Sequence, residues 1–196
     1  MRQKDPNKLQ LIKEKTLDMI VNQGFENFGM QKLAKAASVS PATLYIYFND
    51  KEHLILQVYE DIVTEMTEIT LKNFRPEMPF SEGLRIQWQN RATYYLEHKS
   101  KMIFLEQIRH SSLNEKALEF IGTKFKDDMQ AFVHNAIKNE EIVKVPVEVF
   151  WSIAYAPLYN LIRFHESGKS FMGNKFILDD EILDRTLEIV LKGLKP

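Results

Sequence analysis

The stretch from Met30 to Lys51, MQKLAKAASVSPATLYIYFNDK, most narrows what this chain can fold into. Leu33, Ala34 and Ala37 fall on one face at helical spacing. Ser38-Val39-Ser40 then makes a turn. Ser40 is suited to cap the next helix, because its hydroxyl accepts a bond from an amide left unpaired in the first turn. Pro41 takes the first helical position, where a missing N–H costs nothing. The second helix, expected over residues 41–48, is too short to stand alone. Ala42 and Thr43 open it; Tyr45, Tyr47 and Phe48 close it. Two short helices across a tight turn can lay the second in the DNA major groove, with its N-terminal residues at the base edges. The same pair also occurs as plain core structure, and local chemistry leaves both readings open.

The wider run is more specific. Gly24-Phe25…Leu33-Ala34…Ala37-Ser38-Val39-Ser40…Thr43-Leu44-Tyr45…Tyr47-Phe48…Lys51-Glu52…Leu54 resembles the DNA-binding domain of the TetR family of bacterial transcription regulators. The helical remainder resembles the family in length and layout. The resemblance implies an all-α fold of about nine helices. A three-helix helix-turn-helix DNA-binding domain would occupy residues 1–50, and a helical ligand-binding and dimerisation domain residues 51–196. It assigns Ser40, Pro41, Ala42 and Thr43 to the side facing the bases, and Tyr45, Tyr47 and Lys51 to phosphates. Tyrosine hydroxyls donate to phosphate oxygens, and Lys51 lies beside a helix amino end that favours anions. Packing between helices is the other reading of Tyr45 and Tyr47; Leu44 and Phe48 are assigned to the core. Two departures stand out. Phe28-Gly29 replaces the family's usual Thr or Ser pair, so Gly29 caps without a hydroxyl. Ser38 replaces the usual turn glycine, at a cost of roughly 1–2 kcal/mol if the backbone there is left-handed.

Charge fits an anionic partner for the first part. Up to Glu52 there are eight lysines and arginines against six acids, whereas the whole chain carries a net −1. The excess is small for a DNA-binding domain, and a dimer would double it. Arg2, Lys4 and Lys8 are either a solvated terminus or an arm touching phosphate. The absence of cysteine excludes disulfides and thiolate metal sites and suits a reducing cytoplasm. No apolar run reaches the roughly 18 residues that span a bilayer, and MRQKDPNK lacks the apolar core of a signal peptide. The expected location is cytoplasmic, with no membrane partner.

The rest of the pattern is helical. A first helix is expected from about Asn7, ended by Gly24. Asn49 is expected to cap a fourth helix, with Glu52 completing a capping box. Ser112 and Glu115 suggest the same for one long helix reaching Ile137. Another runs from Val147 to about Glu166, and Pro157 should kink it. The last begins at Asp179-Asp180-Glu181, acids placed at the positive helix end. The helix after Pro146 is apolar nearly all round, so it must be covered on both sides. In the TetR family the last two helices pack against their copies in a second subunit. Val149, Ile153, Ala156, Leu183, Leu187, Val190 and Leu194 are therefore dimer candidates, although cover within one subunit would produce the same pattern.

Enzyme signals are poor. The five histidines show no i,i+4 pair and no HExxH, and there is no phosphate loop or nucleophile elbow. No catalytic residue, metal site or cofactor is expected. Aromatics in the body, with a few polar groups, suit a small-molecule pocket, though each is equally suited to ordinary core. The candidates are Trp88, Tyr95, Phe104, Gln107, Phe125, Trp151, Tyr155 and Tyr159. The resulting expectation is a ligand-responsive transcription regulator, of the repressor kind, in which a homodimer binds a palindromic operator on double-stranded DNA and a largely apolar effector releases it. The alternative is a small-molecule binding protein of the same fold whose DNA motif has degenerated.

Overall fold

The computed structural model describes residues 5–196, which form eleven helices and no strand. In chain order they are α1 (Pro6–Gln23), α2 (Met30–Ala36), α3 (Pro41–Tyr47), α4 (Lys51–Thr70), α5 (Phe80–Glu97), α6 (Lys99–Arg109), α7 (Asn114–Leu118), α8 (Thr123–Lys138), α9 (Val147–Ala154), α10 (Ala156–Ser167) and α11 (Asp180–Leu194). No helix among the described residues is long and apolar enough to cross a membrane. The chain divides into two compact units: the first is built from residues up to 66 and from 98–122, the second from 67–97 and 123–196. Packing thus groups more chain with the helix-turn-helix than the border at residue 50, which marks only the end of that motif.

In the first unit, local chemistry sets each helix end. The Asp5 carboxylate accepts from the amides of Asn7 and Lys8 to start α1. Gly24 ends it at φ 82°, a backbone that a side chain would strain. After α2, Val39 N–H bonds back to the Ala34 carbonyl and Ser38 N–H to that of Lys35. This is the Schellman arrangement, which places Ser38 at the left-handed position, φ 54°. Ser40 Oγ accepts from Thr43 N–H at 3.1 Å, and Pro41 opens α3. The core joins Ile12, Ile20, Leu33, Leu44, Phe48, Leu54 and Ile55 to Phe104 and Ile108 of α6, Leu113 of the turn that follows, and Ala117 of α7. α6 lies along α1. Fully burying a side chain such as Phe104 or Ile108 is worth about 1.5–3 kcal/mol, so residues 98–122 are a structural part of this unit.

The cap of α4 lies one residue later than the sequence suggests. Asp50, not Asn49, accepts from His53 N–H at 2.7 Å, and His53 Nδ1 accepts from Asn49 N–H at 3.1 Å. Glu52 is engaged elsewhere, with Lys116 at 2.7 Å. The single long helix expected over residues 112–137 is two helices, because α7 contributes to one core and α8 to the other. Ser111, not Ser112, supplies the turn before α7, accepting from Leu113 N–H.

In the second unit, α5 is the central element, packed on α8, α10 and α11. It buries Phe80, Gly83, Leu84, Gln87, Trp88, Arg91, Ala92 and Tyr94, more than a one-sided stripe. At Gly83 the ring of Phe132 on α8 comes so near that a Cβ would meet it at 2.6 Å. The helix expected from Val147 to about Glu166 is broken rather than kinked. α9 stops at Ala154, Tyr155 leaves helical geometry, and Pro157 lies in the first turn of α10. Trp88 Nε1 donates to the Ala154 carbonyl at 2.8 Å at that break. The Asp179 carboxylate caps α11 by accepting from Ile182 N–H. Leu183, Leu187, Val190 and Leu194 are buried in this unit's own core and are not available to a second subunit. An apolar stripe has the same spacing whichever body covers it. Val149 is exposed, Ile153 and Ala156 are half-buried, and Ile189 stands out on the far side of α11 at 63% exposure.

Candidate functional site

The outward surface of the first unit centres on α3. Ser40, Pro41, Ala42, Tyr45 and Ile46 are exposed and Thr43 is half-buried, while Leu44 and Phe48 sit in the core. The Ser40 and Thr43 hydroxyls lie 2.9 Å apart, so each holds the other in place at the helix start. Ile46 escaped the sequence reading, although it follows Ala42 by four residues and shares its face. Tyr47 is half-buried. Its hydroxyl accepts from Asp5 N–H at 2.9 Å, which ties the end of α3 to the start of α1. The Lys51 ammonium stands 4.9 Å from the Phe25 ring centre and 5.7 Å from that of Phe28, and it donates to the Phe25 carbonyl at 3.5 Å. Phe28 is buried, so the residue in place of a hydroxyl is a core anchor that also holds the lysine. Lys8 pairs loosely with Asp5 at 3.8 Å; Arg2 and Lys4 lie outside the described residues.

A second constellation lies inside the second unit. Arg91 on α5 is 3% exposed. Its Nη1 donates to Tyr159 Oη at 2.8 Å and its Nη2 to Gln87 Oε1 at 3.3 Å. Tyr155 Oη donates to the same Gln87 oxygen at 3.0 Å, and Gln87 Nε2 to Met129 Sδ at 3.2 Å. Three rings surround the guanidinium: Tyr155 at 4.8 Å, Trp151 at 5.7 Å and Phe125 at 5.8 Å. Tyr95 packs on Tyr159 with ring centres 5.0 Å apart. Burial opposes the Arg91 charge, but the neighbouring phenol oxygens of Tyr159, Tyr155 and Tyr95 outweigh it, and its pKa lies above the ordinary arginine value. Burial pushes the Tyr155 pKa up, so that hydroxyl remains a neutral donor. Phe125, Met129 and Trp151 also line a groove of about 900 Å³ whose other walls include Val133, Ile137, Val145 and Phe150.

Residues 12–58 match the family model for bacterial regulatory proteins of the tetR family. An uncharacterized HTH-type transcriptional regulator of Haemophilus influenzae is 26% identical over 188 residues, 96% of each chain. A TetR-family transcription regulator of Marinobacter aquaeolei VT8 superposes with a TM-score of 0.74 at 26% identity, covering 100% of this chain and 99% of that one. Residues 12–58 thus match the TetR-family DNA-binding domain, and the whole chain is similar to TetR-family regulators. A TetR-family regulator of Haemophilus influenzae Rd shares the fold over the full length of both chains, with a TM-score of 0.78 at 24% identity. These findings are those of a transcription regulator with a helix-turn-helix DNA-binding domain of the TetR type.

Within the second unit, five of the ligand candidates gather around one point: Tyr95, Phe125, Trp151, Tyr155 and Tyr159. Trp88 lies deeper, fully buried, with its indole N–H committed to Ala154. Phe104 and Gln107 do not join them, because both belong to the first unit. Phe104 is core there, and Gln107 Oε1 accepts from Phe25 N–H at 3.0 Å, closing the loop before α2. Gln87 and Arg91, the polar centre of the cluster, were missed. The available signal was two polar residues, four apart, inside the apolar stripe Leu84, Trp88, Ala92.

Proposed function

We propose that this regulator binds a palindromic operator as a homodimer, acts as a repressor, and is released from DNA by a small molecule held in the second unit. The observation that carries the reading is the exposed first turn of α3, capped by Ser40 and free of intramolecular cover at Pro41 and Ala42. Residues 1–50 supply the DNA contacts in this reading. Ser40, Pro41, Ala42 and Thr43 face the bases, with methyl groups for thymine and hydroxyls for base edges. Tyr45, Tyr47 and Lys51 reach phosphates, and Gly29 adds a backbone amide in place of the hydroxyl that the family usually has. Ile153 and Ala156 around the α9–α10 break, Val149, and Ile189 on α11 form the dimer face, with the two recognition helices about 34–36 Å apart. An effector that fits one spacing of the DNA-binding units better than another shifts the population between them, and DNA and effector weaken each other by the same factor. The expected location is the cytoplasm, where operator and effector are both accessible.

The test is selection from a random pool of duplex DNA at one moderate salt concentration, with the oligomeric state measured in parallel. Enrichment of a single palindrome bound by two chains is expected. Enrichment of nothing by a folded protein overturns operator binding, and enrichment of an unrepeated half-site overturns the dimer.

A further inference from the structure

Arg91 is an arginine in the wrong company for a purely structural role. A guanidinium offers five N–H donors and is never deprotonated in a protein. Here it is 97% buried, with relative exposure of 3%, and its two hydrogen-bond partners are both neutral, Tyr159 Oη and Gln87 Oε1. Its Nε is buried with no hydrogen-bond partner. Among the described residues no carboxylate forms an ion pair with it, and the groups acting on its charge are tyrosines only. Buried charges are ordinarily paired. The ring faces of Tyr155, Trp151 and Phe125 stabilise the cation but give its Nε–H no acceptor. Two of those rings, Phe125 and Trp151, are also walls of the apolar groove, as is Met129, which Gln87 touches. The cation therefore lies directly behind the groove lining.

We infer that the effector of this regulator is an organic monoanion, a carboxylic acid with an apolar or aromatic body, whose carboxylate pairs with Arg91 while its body lies along the groove walled by Phe125, Met129, Val133, Phe150 and Trp151. This rests on the reading of the second unit as an effector site. With the Phe125 and Trp151 rings displaced from the guanidinium, the carboxylate accepts from Arg91 Nε and a second Nη hydrogen in the side-by-side geometry that guanidinium and carboxylate share. Gln87 and the hydroxyls of Tyr155 and Tyr159 orient the fork and add polar contacts. A neutral alcohol of the same skeleton gains the groove but not the ion pair. An amine brings a second cation to a buried one and is rejected. The groove volume, about 900 Å³, is ample for a body of ten or so carbons.

The experiment uses the full chain and matched acids, alcohols and amines in a hexyl-to-hexadecyl series and a naphthyl series, each below its aggregation threshold. Binding is read from the emission of the two tryptophans, of which Trp151 borders the site. In the best-fitting skeleton the acid should bind about tenfold to a hundredfold more tightly than the alcohol, the range for a charge-assisted hydrogen bond, with the amine weakest. Arg91→Met should abolish the advantage of the acid while leaving the alcohol's affinity within a few-fold. Arg91→Lys should retain only part of it, since an ammonium cannot form the fork. Urea unfolding of each variant confirms that it is folded, and Gln87→Leu, which leaves Arg91 in place, gives a second variant expected to weaken the acid's advantage. The proposal is overturned if no acid binds, if alcohol or amine matches the acid, or if Arg91→Met keeps the acid's advantage. Duplex binding measured alongside separates the two readings. An alcohol that binds and releases DNA sinks the anion site but not the sensor; an acid that binds through Arg91 without affecting DNA does the reverse.

Discussion

Gly83→Ala tests how tightly the second unit is built around its candidate site. The added Cβ would stand 2.6 Å from Phe132 Cε2 and 2.7 Å from Cζ, about 0.8 Å short of ordinary contact. Phe132 cannot easily yield. It is fully buried, stacked on Phe80 at 5.3 Å and edge-on to Phe74 at 5.0 Å. Phe74 is itself 3.2 Å from the new atom. Overpacking of a filled core costs about 1–3 kcal/mol. Replacing an interior helical glycine by alanine returns up to about 1 kcal/mol. With contacts this short the packing cost should fall in the upper part of its range, leaving a net loss of about 1–2 kcal/mol. Urea unfolding followed by circular dichroism, at one fixed protein concentration, would show a lower midpoint with an unchanged slope. Since α5 also carries Gln87 and Arg91, one and two turns further along, a forced separation from α8 should loosen the cage around the guanidinium as well. Gly83→Ala combined with Phe132→Leu should lose less than the two single changes added together, because the smaller side chain makes room. A Gly83→Ala protein as stable as the parent, or more so, would refute the close-approach reasoning.

Ser38→Gly relieves a left-handed serine worth roughly 1–2 kcal/mol and gives back about 0.5–1 kcal/mol in unfolded-chain entropy, so thermal unfolding should show a gain of about 0.5–1 kcal/mol; a loss would mean the hydroxyl matters more than the backbone. Lys51→Met keeps the stem over Phe25 and Phe28 but removes the charge. If each of two copies gives up one phosphate contact, the slope of log affinity against log salt should shrink by about 1.8; an unchanged slope would reduce Lys51 to a tie on the Phe25 carbonyl. Ile189→Glu on the outer side of α11 should weaken self-association at least about tenfold while leaving the fold intact, since the side chain is exposed; sedimentation showing the same oligomer would move the interface off this face.

The legible parts of this chain are those decided within a few residues. Gly24, Ser40-Pro41 and Asp179 act on their nearest amides, and each ends or begins a helix where the sequence puts it. Ambiguity begins where two residues offer the same chemistry. Asn49 and Asp50 are both good caps, and the choice went to Asp50, with His53 closing the motif while Glu52 reaches Lys116 across 64 positions of sequence. Patterning also hides direction. The stripe of α11 reads the same whether its own core or a partner covers it, and Leu183 to Leu194 proved to be own core. Periodicity merged α7 and α8 because both are apolar every three to four residues, although they serve different cores. Arg91 was passed over for the opposite reason. A charged residue inside an apolar stripe contradicts the pattern, and such contradictions tend to mark function rather than error.

The placement of residues 98–122 has a consequence for anyone exchanging parts between regulators of this kind. The chain passes between its two units three times, near residues 66, 97 and 122. A chimera made with one cut after α4 would carry Ile12, Leu33 and Leu44 into the new protein but leave behind Phe104, Ile108, Leu113 and Ala117, the residues that complete their core. The graft would arrive with a missing wall. Gene fusion at a single joint is therefore the wrong tool here, and a clean transplant of the DNA-reading unit must carry the 98–122 excursion with it as a second, separate insert.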